Sequence, residues 1–182
     1  GTHTITVTCT DDGTGTLSAS DQYVLTVTNT NDAPTVANAI SDASTAEDAA
    51  YSLSVASVCT DVDSGDSLTY SISGAPSTIT ISGTTISGTP VNANVGTHTI
   101  TVTCTDDGTG TLSASDQYVL TVTNTNDAPT FSSSAVTSAT EDAAYSYTVT
   151  TADDDGDSIT VTCTTCPSWL SFSSGALTGT PD

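Results

Sequence analysis

The chain has 182 residues, 21 of them acidic and none of them lysine or arginine, for a formal net charge of −21. A surface that tracks phosphates cannot be built without cations, so nucleic-acid binding and docking on anionic membranes are excluded. Leu, Ile, Val and Phe supply only 33 residues, and with this charge such poverty is typical of disordered chains.

The first predicted elements argue against disorder. The 41 threonines alternate with apolar residues in runs such as THTITVTCT at 2–10, and that alternation predicts thin-cored β-domains. Residues 1–35, which end on NTNDAPT, return at 96–130, identical at all 35 positions with an offset of 95. Looser echoes join AEDAAYSL at 46–53 to TEDAAYSY at 140–147, and SGTP at 87–90 to TGTP at 178–181. The chain therefore reads as a tandem array with a period near 95 residues, the size of one β-sandwich. It holds the end of a first repeat (1–33), a complete repeat (34–128) and the start of a third (129–182), and is expected to be a segment of a longer array.

Within the complete repeat, Tyr51, Leu53, Val55 and Cys59 share one parity. Leu68, Tyr70 and Ile72 share another, as do Ile100, Val102 and Cys104, and then Tyr118, Leu120 and Val122. Each run predicts a strand with one buried face. Between them DVDSGDS, SGAPS, SGTTISGTP and DDGTG read as turn clusters. No helical period of useful length appears, no apolar run approaches the roughly 18 residues of a membrane span, and no signal-peptide pattern is read.

The order EDAAYSYTV, DDDGDSITVT, CPSWLSFSSGALTGTP in the third repeat, with GTHTITVTCTDDG and TVTNTNDAP in the second, resembles the cadherin-like domains of the dystroglycan type. It is also similar to the immunoglobulin-like repeats of large microbial surface proteins. NTNDAP is similar to the linker between cadherin domains, with Asn29 and Asn124 standing where cadherins have Asp. The resemblance covers essentially the full chain and implies an all-β fold of tandem antiparallel Ig-like or cadherin-like sandwiches.

Strands of such a sandwich alternate in direction, so its polar loops sort to two ends. Asp61, Asp63 and Asp106 are then expected beside the linker residues Asn29, Asn31 and Asp32. Glu47 is expected beside Asn124, Asn126 and Asp127, facing Asp153 and Asp155 of the third repeat. Two carboxylates about 4 Å apart repel by about 1 kcal/mol in water and about 4 kcal/mol at an effective dielectric of 20, and no cationic side chain is present to offset them. A hard divalent cation takes six to eight oxygens, and a set without thiolate or imidazole favours calcium. The bland reading is that these acids are solvated loop charges that keep the protein soluble. DVDSGD also matches the opening of an EF-hand loop, but the twelfth position from Asp61 is Ile72 instead of a bidentate Glu, and no helices flank it.

The same resemblance places Cys59 and Cys104 on the inward faces of the second and sixth strands, the pair that carries the inter-sheet disulfide of immunoglobulin domains. A bridge closing their 45-residue separation stabilises by about 4 kcal/mol on the chain-entropy model. Cys9 is the repeat copy of Cys104, with its partner expected upstream of residue 1, and Cys163 and Cys166 are expected to pair with each other. Disulfides imply a location outside a reducing cytosol.

Catalysis finds little support. His3 and His98 are copies of one position at a strand start, no GxSxG elbow occurs, and GTGT lacks the lysine of a phosphate loop. Trp169 reads as a core anchor. The resulting expectation is a non-enzymatic stalk, filament or adhesin segment at the cell surface or outside it. Its partners are adjacent repeats and like chains in a fibre, with any surface glycan or protein ligand elsewhere in the chain. Strand exchange between neighbours would add stability to such thin-cored repeats. The rival is a carbohydrate- or protein-binding module of a secreted multidomain protein, which a cluster of exposed aromatics would mark.

Overall fold

The computed structural model describes residues 1–182. The hairpin of β1 (Thr2–Thr10) and β2 (Ser18–Thr26) comes first, antiparallel and in register from Thr2↔Thr26 to Thr10↔Ser18. There follow β3 (Thr35–Val36), β4 (Ala43–Ala46), β5 (Tyr51–Ser54), β6 (Cys59–Thr60), β7 (Thr69–Ser73), β8 (Ile79–Ser82) and β9 (Thr85–Gly88). After a short 3-10 turn at Asn92–Asn94 come the long strands β10 (Gly96–Thr105) and β11 (Ser113–Thr123). The remainder holds β12 (Thr130–Phe131), β13 (Tyr145–Thr148), β14 (Thr151–Ala152), β15 (Leu170–Ser173) and β16 (Ala176–Gly179). The chain is all-β, as expected, with sheets ordered β4-β11-β10-β7, β5-β9-β8 and β3-β6 between residues 35 and 123, and β13-β16-β15 and β12-β14 beyond them.

Two compact units divide the chain. The first comprises 1–42, 52–87 and 99–119. Its core draws on the predicted alternating residues: Val55, Cys59, Ile100, Val102, Cys104 and Tyr118 are buried, joined by Val58, Ile79 and Ile86, whereas Leu53, Leu68, Tyr70 and Ile72 are only half-buried. Alternation puts every second side chain on the inner face, which is why a chain so poor in aliphatics still closes a core. The Cys59–Cys104 disulfide crosses this core with Cα atoms 6.5 Å apart. Side-chain bonds also tie the unit together: Asp116 Oδ2 accepts the Ile40 amide at 2.6 Å, and Asp42 Oδ1 accepts that of Val119 at 2.8 Å.

The second compact unit comprises 43–51, 88–98 and 120–182. Here β4 runs beside the end of β11 with Leu120 opposite Ala43 and Thr123 opposite Ala46, and Tyr51, Leu120 and Val122 are buried. Half-buried Trp169 meets Tyr145 edge to face at 6.0 Å between ring centroids, and Cys163 is bonded to Cys166. His98 Nε2 donates to the Asn94 carbonyl at 2.7 Å, and the residue is half-buried.

Two expectations are corrected. SGTTISGTP is a hairpin strand for most of its length: β9 takes Thr85–Gly88, and only the residues around Gly83, whose φ of 56° is left-handed, make the turn. Ile79 and Ile86 face the core from the two strands, a burial that overrides the Ser, Thr and Gly between them. The sheets are also not wholly antiparallel, because β4 pairs with β11 in parallel. Every strand from β3 to β11 finds its neighbours between 35 and 123, so strand exchange plays no part in that stretch.

Candidate metal centres

Two acidic clusters form where the NTND linkers meet the loops after β6 and β14. In the first, Asp63 takes both of its linker contacts through one carboxylate: Oδ1 accepts from Asn29 Nδ2 at 2.7 Å and Oδ2 from the Asp32 amide at 2.6 Å. Asp61 Oδ1 caps the turn by accepting the Asp63 amide at 2.9 Å. Asn31 Nδ2 donates to Asp106 Oδ2 at 3.2 Å, while Asp106 Oδ1 holds its own loop through the amides of Gly108 at 3.2 Å and Leu112 at 3.0 Å. One carboxylate oxygen each from Asp61, Asp63 and Asp66 lies within 4.8 Å of the others. Gly108 lies against them: a Cβ there would displace the side-chain ends of Asn31 and Asp66.

The second cluster repeats the first with new members. Asp155, the repeat counterpart of Asp63, accepts the Asp127 amide through Oδ2, as Asp63 does that of Asp32. Its Oδ1 accepts from Asn92 Nδ2 at 3.4 Å. Asp153 Oδ1 accepts the amides of Asp155 at 3.1 Å and Asp157 at 3.2 Å. Glu47, 2% exposed, accepts the Thr125 amide through Oε1 at 2.8 Å. Glu47, Asp127 and Asp155 bring oxygens within 4.8 Å of one another, as do Asp153, Asp155 and Asp157.

The electrostatics follow from this geometry. The Asp32 amide and the Asn29 side chain hold the Asp63 carboxyl below the usual range, against burial. Asp66 is pushed up by burial and then by Asp107, Asp63, Asp61 and Asp106. Asp127 is pushed up by burial and then by Asp155, Asp48, Glu47 and Asp154. Burial and the neighbouring carboxylates thus raise one member of each cluster above the usual carboxylate range.

Two buried carboxylate oxygens have no hydrogen-bond partner, Glu47 Oε2 and Asp61 Oδ2, one in each cluster. A buried unpaired oxygen costs about 1–3 kcal/mol, more when charged, and the chain has no Lys or Arg to meet it. The oxygen-only donors therefore fit a hard divalent cation.

The structure brings together Asn29, Asn31, Asp32, Asp61, Asp63 and Asp106 in the first cluster, with Asp32 engaged through its backbone amide. It brings together Glu47, Asp127, Asp153 and Asp155 in the second. Asn126 turns its amide to the Asp127 carbonyl at 3.2 Å, and Asn124 is exposed. Sequence reasoning missed Asp66 and Asn92. Asp66 was visible as the last acid of DVDSGD, whereas Asn92 sits in a 3-10 turn that no motif marks.

The family model described as "Putative Ig domain" matches residues 33–123 and 128–182. Among solved structures, mouse cadherin-23 EC22-24 is 22% identical with a TM-score of 0.55, over 98% of this chain and 63% of that one. The protocadherin GammaB4 extracellular domain is 24% identical with a TM-score of 0.54, over 99% of this chain and 34% of that one. An endo-fucoidan hydrolase of glycoside hydrolase family 107 is 25% identical with a TM-score of 0.45, over 98% of this chain and 30% of that one. The chain thus spans about a third of several of these structures. No curated protein matches. The resemblance drawn from NTNDAP, PSWL and GTP is borne out at the level of fold.

Proposed function

The chain belongs to the Putative Ig domain family, and on that footing we propose that it is a non-catalytic structural segment of a secreted or surface-attached protein. It serves as a stalk or filament whose linkers are stiffened by calcium. The observation that carries this reading is the pair of partnerless buried oxygens, Glu47 Oε2 and Asp61 Oδ2, each inside a cluster of oxygen donors. Asp61, Asp63, Asp66, Asp106 and Asn31 would hold one ion or group of ions. Glu47, Asp127, Asp153, Asp155 and Asn92 would hold the other.

Bound calcium would cancel the repulsion that otherwise pushes each linker away from its loops. The linker amides already donate to Asp63 and Asp155, so the cation would lock an arrangement the chain has half built. The disulfides support a location outside a reducing cytosol. Calorimetry should detect calcium binding at about 0.1–1 mM, the range of extracellular modules. Scattering should report a more bendable chain in EGTA. Asp63→Asn and Asp155→Asn should each weaken binding at one cluster; if neither does, and EGTA changes nothing, the acids are solubilising charges.

A further inference from the structure

β7 is the outermost strand of β4-β11-β10-β7, paired with β10 from Thr69↔Thr105 to Ser73↔Thr101 and with no strand on its other side. Such an edge is a template for a further strand, and proteins guard theirs with charges, proline or bulges. β7 has none of these guards: TYSIS holds no charge and no proline, and its register with β10 runs unbroken. β8, which packs beside it as an edge of the facing sheet, is ITIS and equally uncharged. In a chain with a net charge of −21, these two strands offer a second copy an approach free of acids.

The inward side chains of β7 are the half-covered part of this core. Tyr70 and Ile72 are half-buried, while Cys104 and Val102, directly opposite them on β10, are 0% exposed. Leu68 is half-buried too, and with Thr69, Tyr70, Gly83 and Thr84 it lines a cleft of about 320 Å³ beside the open edge. The Tyr70 hydroxyl is held by the Ala56 carbonyl, to which it donates at 3.4 Å. All of these residues belong to the first compact unit and lie within the complete repeat.

We propose that β7 pairs with β7 of a second copy of this chain, antiparallel about a two-fold axis through Ser71. A pairing centred on a residue keeps inward side chains inward in both copies, because side chains alternate with a period of two. It sets Tyr70 opposite the partner's Ile72 and Thr69 opposite the partner's Ser73. An aromatic side chain beside a β-branched one is a favourable cross-strand pair. The partner's Ile72 then covers the cleft at Leu68 and Tyr70, and Ile72 does the same for the partner. Asp66 falls opposite the partner's Pro76, so no carboxylate meets another along the paired strands. The contact is isologous, closes at two copies and joins two four-stranded sheets into one. Charge elsewhere opposes the approach, and salt at roughly 0.15 M screens it beyond about 8 Å. The proposal goes beyond the calcium-stiffened reading and does not rest on it.

The test uses the full chain with Cys9→Ala, which removes its one free thiol. Sedimentation should show a dimer fraction that rises with protein concentration and with salt, in calcium and in EGTA alike. Adding Ser71→Asp sets two carboxylates against each other on the axis and should weaken the dimer about fivefold or more. Thr99→Asp adds the same charge at an exposed position of β10 and should leave the dimer as it was.

The register is read by crosslinking. Ser71→Cys puts two thiols on the axis with Cα atoms about 4.5–5.5 Å apart, within reach of a disulfide. Oxidised glutathione takes up their two hydrogens as two glutathione thiols, and the product should run on a non-reducing gel at twice the 18.1 kDa of the chain. Ser73→Cys alone should not crosslink, because the same position on the partner lies about 13 Å further along the strand. Mixed with Thr69→Cys chains, it should.

A dimer with this register supports the proposal. It is overturned if the chain stays monomeric at millimolar concentration in high salt, if Ser71→Asp and Thr99→Asp act alike, or if Ser73→Cys alone crosslinks as readily as Ser71→Cys. Calcium binding is read separately by calorimetry, so the two readings fail independently.

Discussion

Residues 1–35 and 96–130 are one sequence in two settings. Their local chemistry is the same. Thr8 bonds Ser20 at 2.7 Å and Thr103 bonds Ser115 at 3.1 Å; Gln22 donates to Thr6 at 3.1 Å and Gln117 to Thr101 at 2.9 Å. The turns agree as well: Asp11 accepts from Gly13 and Leu17 as Asp106 does from Gly108 and Leu112, and Thr16 and Thr111 share a left-handed φ of 28° and 42°. The burial is opposite, since one copy lies in a core and the other is open along its length. The hairpin is therefore encoded by its own alternation and turn, while burial, the disulfide and the acidic cluster are conferred by the strands and loops that meet it.

The largest expected contrast is at the cysteines. Cys104→Ala should cost about 4 kcal/mol in urea unfolding, through the lost 45-residue crosslink, and Cys9→Ala should cost nothing. Equal costs would mean that Cys9 is also bridged. Next come the leucines: Leu120→Ala opens a cavity at a fully buried site and should cost about 3 kcal/mol. Leu25→Ala, at an exposed side chain, should stay within about 0.5 kcal/mol.

The acids should differ by less. Asp106→Asn should weaken calcium binding about tenfold, or about 1.4 kcal/mol, by calorimetry. Asp11→Asn, whose carboxylate accepts only from Gly13 and Leu17 of its own turn, should leave it unchanged. The smallest effect tests the shared part of the comparison. Gln22→Ala and Gln117→Ala should each cost about 0.5 kcal/mol, and equally, because both remove the same exposed cross-strand bond.

What could be read from residues alone follows the same division. The strands around Val55, Val102 and Leu120 were legible because one-sided burial writes a period of two into the chain. The β8–β9 hairpin was not, because β9 has a single large apolar residue, Ile86, and its Ser, Thr and Gly neighbours are those a turn would use. β3 and β4 are short and lack alternation, and the parallel pairing of β4 depends on Asp42 and Asp116, 74 residues apart in sequence, anchoring the crossing. In the clusters, Asp63 and Asp155 were legible as repeat counterparts beside a repeated linker. That Asp32 and Asp127 meet them through backbone amides was not, because sequence shows side chains and this contact uses none.

The Cys59–Cys104 bridge also has a mechanical consequence. When the chain is pulled from its two ends, tension that reaches Cys59 passes through the sulfurs to Cys104, and the residues between them bear no load. Their separation of 45, at about 3.4 Å per extended residue, withholds about 150 Å of contour length. A stretched molecule would therefore lengthen in that repeat only through the segments outside the bridge, and reduction would release the stored length in one step.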